Sequence, residues 1–201
     1  MKGIKLRIRS MESTKQITKA MEMVATSQLR HAQERVARSR PYFETLYETV
    51  TEIAATNKGF SSRFFEARQT NRACFIVIAG DRGLAGGYNH NVLKLVERSM
   101  QGKDAQVLPI GKKALEFCRQ RGIAVLTEAY ATASDVSVGD CFTMAKALAK
   151  EFLQGEFDEV YIGYTNFASI LVETPCTLQL LPLQNQSKQG GLRKPPLYRE
   201  R

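Results

Sequence analysis

No apolar run in the chain approaches the ~20 residues that a membrane-crossing helix needs. The N-terminus also lacks an uninterrupted apolar segment, which excludes a secretory signal, and it matches an acid-poor, Ser/Arg-rich transit peptide badly. Cysteine is sparse: Cys74, Cys118, Cys141 and Cys176 lie 44, 23 and 35 residues apart, with no C-x-x-C and only His31 and His90 to assist. This argues against a metal site or disulfide framework and predicts four reduced, mostly buried thiols in a cytosolic setting.

The most informative shortage is of helix breakers. Between Lys2 and Thr56 there is no Gly after Gly3 and a single Pro, Pro41, amid Ala, Met, Leu, Glu, Gln, Lys and Arg. One very long helix is predicted, roughly 75 Å at about 1.5 Å per residue, longer than a small domain is wide. Its apolar residues recur at steps of three and four: Ile4, Ile8, Met11, Ile17, Met21, Val24, Leu29, Ala32, Val36, Phe43, Leu46 or Tyr47, Val50, and Ile53 or Ala54. That is the spacing of a coiled-coil seam, narrow in the middle where Gln28 and alanines stand. Pro41 predicts a bend near Arg38 to Pro41. Residues 1–40 hold ten Lys and Arg against three Glu, a net +7 of the chain's +9, so the basicity belongs to this arm.

A stop signal at Asn57-Lys58-Gly59 follows, then a polar stretch in which Phe60, Phe64 and Phe65 are candidate anchors. From Ala73 to Ala79 the pattern becomes a continuous apolar run, expected of a strand buried on both faces of a parallel sheet. Further elements are expected at about Asn89–Gln101 (helix), Gln106–Ile110 (strand), Lys112–Arg121 (helix), Ile123–Leu126 (strand) and Val138–Gln154 (helix). Strands Phe157–Tyr164 and Ile170–Leu183 complete the order, joined by a turn at Asn166-Phe167-Ala168. The expected fold is α/β: a helical arm plus a doubly wound, mostly parallel domain with an antiparallel edge hairpin. Residues 184–201 read as a linker tail. No later helix is long enough to line the arm, whose partner must be another chain, a second copy, or a segment following the tail.

Candidate chemistry is thin. The turn Gly80-x-x-Gly83-x-x-Gly86-Gly87 sits between a strand and a helix, where phosphate sites are built, but it fits neither G-x-G-x-x-G nor the P-loop. Gly111-Lys112-Lys113 also stands where a ribose-binding acid would be expected, which favours a structural or protein-contact turn. Asp81 and Asp135 follow strand ends, where α/β enzymes place catalytic carboxylates, yet no His accompanies a nucleophile, and His31 reads as solvated. No cofactor and no metal are expected. The basic arm suits either nucleic acid or an acidic protein collar; the interleaved seam and the lack of aromatics before Tyr42 weigh against nucleic acid.

The segment Ser13-Thr14-Lys15-Gln16-Ile17-Thr18-Lys19-Ala20-Met21-Glu22-Met23-Val24-Ala25, with Leu29-Arg30, Ala32-Gln33 and Ser39-Arg40-Pro41-Tyr42, resembles the N-terminal helix of the gamma subunit of F-type ATP synthase. Asp81-Arg82-Gly83-Leu84-Ala85-Gly86-Gly87-Tyr88-Asn89 is similar to that family's loop after its first strand, with Ala85 where Cys is frequent. The resemblance implies a non-catalytic rotor: residues 1–57 as shaft, 58–72 as linker, 73–183 as an α/β foot domain and 184–201 as a tail toward a C-terminal helix. That helix is expected to pair with the first as a coiled coil. Since the sequence stops at Arg201, a fragment of a normal subunit is expected, or else a shortened shaft.

The same resemblance implies alpha and beta subunits, epsilon and the membrane rotor ring as partners, without nucleic acid or direct membrane insertion. It assigns Lys15, Lys19, Met21, Glu22 and Met23 to beta-subunit contact, Ile17, Val24, Leu29, Ala32 and Val36 to the seam, and Arg82, Gly83, Gly86, Gly87 and Asn89 to the foot loop. The regulatory insertion of photosynthetic members finds no match, so a bacterial source is expected, at the cytoplasmic face of the inner membrane. A nucleotide-binding α/β protein with an oligomerisation arm is the alternative.

Overall fold

The computed structural model describes residues 2–56, 63–66, 68, 71–169 and 172–183. The stop signal at Asn57-Lys58-Gly59, the anchor Phe60 and the tail 184–201 lie outside them. The chain divides into two compact units, Met1–Lys58 and Gly59–Arg201.

The first unit is helix α1, Lys2–Thr56, 55 residues long. The helix continues through Pro41, where a bend was expected. Polar side chains bond the backbone on either side of the proline: Ser39 Oγ donates to the Val36 carbonyl (3.1 Å) and Thr45 Oγ1 to the Pro41 carbonyl (3.0 Å). Thr14, Thr18 and Thr26 likewise donate to carbonyls four residues back, so the hydroxyls on this surface are satisfied within the helix.

The second unit is a five-stranded sheet with helices on both faces. Its strands are β1 (Arg72–Ile78), β2 (Asp104–Ile110), β3 (Ala124–Val125), β4 (Glu159–Ser169) and β5 (Val172–Leu181), in the order β3-β2-β1-β4-β5. The first four are mutually parallel and β5 is antiparallel to β4. Helices α2 (Tyr88–Ser99), α3 (Lys112–Arg121) and α4 (Val138–Gln154) make the crossovers.

The apolar run of β1 is explained by its central place. Successive side chains of a strand point to opposite faces. Thus Ala73, Phe75 and Val77 enter a core with Val92, Leu93 and Val96 of α2 and Ala114 and Cys118 of α3. Cys74 and Ile76 enter the other, with Met144, Leu148 and Phe152 of α4. On the first face α2 lies so close to β4 that a Cβ at Gly163 would overlap Val96.

Two expectations need correction. The hairpin does not turn at Asn166-Phe167-Ala168: Asn166 and Phe167 pair with Thr174 and Glu173, and β4 runs to Ser169. Cross-strand partners on β5 override the turn preference of a lone Asn. The thiols are also not mostly buried. Cys74 and Cys118 are, but Cys141 is exposed and Cys176 half-buried, all four free. Cys141 is left outside because Met144, Leu148 and Phe152 occupy the inward face of α4. Burial, with the Glu151 charge adding to it, pushes the Cys74 thiol up to about 12.

Candidate functional site: an exposed helical arm and a braced loop

Not one described side chain of α1 is buried. Most of its described apolar residues stand in the open, from Met11, 73 % exposed, to Phe43, 38 %, while Leu29 is half-buried. Helical geometry at 3.6 residues per turn divides the predicted residues between faces. Ile17, Met21 and Val24 share one face; Lys15, Lys19, Glu22 and Met23 fall on the opposite side, so Met21 lies with the apolar stripe and apart from the other four residues expected at beta-subunit contact. Gln28 and Ala32 continue the Ile17 line, whereas Leu29 and Val36 lie roughly a quarter turn away. The seam therefore swings around the helix at its weak middle. The charges on this surface are only loosely tied: Arg30 Nε lies 3.2 Å from Glu34, and His31 Nδ1 lies 3.8 Å from the same carboxylate, all exposed.

The second region is the loop from Gly80 to Gly87, leaving the C-terminal end of the central strand. In an open parallel sheet this edge, where the strand order reverses, is the usual place for ligands. Here three backbone donors are already engaged by a carboxylate. Asp81 accepts from the backbone N–H groups of Lys112 (3.1 Å) and Ala133 (2.8 Å) through Oδ1, and from Ser134 (3.1 Å) through Oδ2. Burial of the carboxyl opposes its ionisation. The three N–H donors and the Lys112 charge outweigh it and hold Asp81 below the usual carboxylate range. Gly111, at the start of α3, has φ 97°, and a Cβ there would overlap the Ala79 carbonyl oxygen, so the two loops approach closely and only glycine fits.

Asn89 braces the other end of the loop. Its Oδ1 accepts from Gly80 N (2.7 Å) and its Nδ2 donates to the Arg82 carbonyl (3.3 Å). Tyr88 is half-buried, and burial together with the Glu173 carboxylate raises its phenol pKa. Between these braces Arg82, Gly83, Gly86 and Gly87 are exposed, and Leu84 is 98 % exposed at φ 60°. A leucine in the left-handed region is strained by about 1–2 kcal/mol. Such an outlier is wholly in solvent, on a loop whose ends are fixed.

Of the predicted loop residues, Asn89 is thus a brace and Arg82, Gly83, Gly86 and Gly87 form the presented surface. Leu84 was quoted within the motif but not singled out; its signal was an apolar residue between Gly83 and Ala85-Gly86. The candidate catalytic Asp135 accepts from Ser134 Oγ (3.0 Å) and is exposed. Asp81 is spent on backbone donors. Among the described residues no three His, Cys, Asp or Glu side chains converge as metal ligands.

A family model described as ATP synthase matches residues 1–199. The ATP synthase gamma chain of Ruminococcus albus is 37 % identical over 203 residues, covering 98 % of this chain and 71 % of that one. The gamma chain of Alkaliphilus metalliredigens is 38 % identical over 196 residues, covering 97 % and 68 %. Among solved structures, the central stalk and c-ring of Tetrahymena thermophila mitochondrial ATP synthase align at a TM-score of 0.60 and 22 % identity, over 83 % of this chain and 72 % of that chain. At that identity the likeness concerns the fold.

Proposed function

Because this chain belongs to the ATP synthase gamma-chain family, we propose that α1 works as the axle of an F-type ATP synthase, turning inside a hexamer of alpha and beta subunits. It is a rotor subunit and does no bond chemistry itself. The carrying observation is the 55-residue helix with no buried side chain among those described, in a chain whose other unit has cores of its own.

Two opposed faces suit such an axle. The Ile17, Met21 and Val24 face takes a second helix. The face bearing Lys15, Lys19, Glu22 and Met23 meets the beta subunits, its excess positive charge drawn to an acidic collar. The braced loop of Arg82 to Gly87, with Leu84 at its tip, is a second contact, made from the foot toward epsilon or the membrane ring. No helix among the described residues is long and apolar enough to cross a membrane. The subunit works as part of a membrane-associated complex, and we place it at the cytoplasmic face of a bacterial inner membrane.

Reconstitution tests the reading. Mixed with alpha and beta subunits, the full chain should co-elute with the hexamer, and a probe on the foot should rotate during ATP hydrolysis. Neutralising Lys15 and Lys19 together should weaken assembly most at low salt. Calorimetry of the chain with ATP should give no binding isotherm, since Asp81 already holds the N–H groups a phosphate would need; a micromolar isotherm would favour a nucleotide-binding protein instead.

A further inference from the structure

We propose that Arg68 is a torque-coupling residue: it fastens the segment by which the chain enters the body to the end of α4, so the body grips the chain both where it arrives and where it leaves. This inference rests on the rotor reading above.

Arg68 Nη1 donates to the Phe152 carbonyl (2.7 Å) and to the Phe157 carbonyl (3.0 Å), and its guanidinium carbon lies 4.5 Å from the centre of the Phe152 ring. Helix α4 has no basic residue in its last turn, whereas α2 ends with Arg98 and α3 with Arg119 and Arg121. The Phe152 carbonyl, near the negative end of α4, accepts from the Gly155 N–H and also from a cation elsewhere in the chain, which reaches on to the Phe157 carbonyl beyond the helix. That cation comes from the segment that follows the arm.

The neighbouring contacts converge on the same ridge. In the short helical turn Arg63–Phe65, the Phe64 ring stacks on Phe152 at 6.1 Å, nearly parallel. The backbone of Phe64 then holds the far end of the domain: Leu183 N, just beyond β5, donates to the Phe64 carbonyl at 2.7 Å. On the other side, Arg72 N and Nε both donate to Asp158 Oδ2 (3.2 and 3.3 Å), and Asp158 N donates back to the Arg72 carbonyl (2.8 Å). Phe64, Arg68 and Arg72 are thereby fixed to the stretch 152–158, and Leu183 is fixed to Phe64.

A Lys or Arg within α4 would cap that helix equally well. Recruiting the cap from the connecting segment does something more: with the contacts of Phe64 and Arg72, it ties that segment to the body at separate points. A twist delivered along the chain then passes into the sheet through several attachments instead of being absorbed by loose torsions. Removing the donors while keeping the apolar stem over Phe152 separates gripping from packing.

The test uses the complete ATP synthase assembled with the full chain carrying Arg68→Met, Arg68→Lys or Leu183→Pro, the last deleting the N–H that binds Phe64. The readouts are the angular spread of a probe on the body while the hexamer is stalled, and ATP-driven ion pumping relative to ATP hydrolysis. Arg68→Met and Leu183→Pro should leave hydrolysis unchanged, broaden the angular distribution and lower pumping per ATP. Arg68→Lys, which keeps the charge but not the fork that reaches two carbonyls, should fall between. A spread and pumping ratio equal to the parent's in both Arg68→Met and Leu183→Pro would overturn the proposal and leave Arg68 a helix cap. If the parent chain does not assemble with the hexamer, the rotor reading fails instead. Hydrogen exchange in the full chain decides the grip separately: Arg68→Met should cost the Leu183 amide roughly tenfold in protection, and unchanged protection there would count against it.

Discussion

Strand β1 and helix α1 use the same kinds of apolar residue to opposite ends. In β1 five consecutive side chains, Ala73 to Val77, are buried, shared between two cores. In α1 the isoleucines, methionines and valines repeat over fifty residues, and none of those whose side chains are described is buried. Burial of such side chains is the main source of folding free energy, so β1 is stabilised by its own chain, whereas the stripe of α1 realises its share only against other surfaces. The body is a finished object and the arm is half of one.

That contrast can be broken from either side. The largest effect should come from Phe75→Ala, which empties the position of a fully buried ring stacked on Tyr161 at 4.8 Å and should cost the body ~3–5 kcal/mol in denaturant unfolding. A loss well below that would mean the core is looser than its packing indicates. Next comes a change of opposite sign: Leu84→Gly should stabilise the body by about 1 kcal/mol, because glycine occupies the left-handed region without strain. The same substitution should weaken association of the foot with its partner, and a variant that is both more stable and equally well bound would remove Leu84 from the contact.

A local effect should follow pH. Asp81 has its pKa lowered in the fold, so its contribution is complete above the ordinary carboxylate value near 4 and is lost as pH falls through the native value. Amide exchange at Lys112, Ala133 and Ser134 should accelerate together in acid, and Asp81→Asn should abolish that dependence. The smallest effect on stability belongs to the arm: Val24→Ala should alter unfolding of the body by less than about 0.5 kcal/mol while weakening assembly with the hexamer. Strong destabilisation of the body would mean that its folding depends on the arm.

Much of this was legible beforehand where the signal is local. The arm could be read from 2 to 56 because a period and an absence of breakers persist far longer than chance allows. The double-sided burial of β1 was visible in a run with no polar interruption. The hairpin turn was misplaced because Asn166 favours turns locally, while the pairing that fixed it lies on another strand. The bracing by Asp81 was hidden for a similar reason: its acceptors' partners, Lys112 and Ser134, stand 31 and 53 residues away. Arg68 gave no sign at all, since its two carbonyl partners lie 84 and 89 residues on. Leu84 was on the page as a letter, but its backbone angle was not.

The Asp81 carboxylate deserves a last consequence. By sitting on three N–H groups at the reversal point of the sheet, it acts as a built-in anion while it stays ionised. A domain of this architecture would otherwise offer a landing place for the very nucleotides its neighbours turn over. With those three N–H groups occupied from within, the loop is held by the body's own chain.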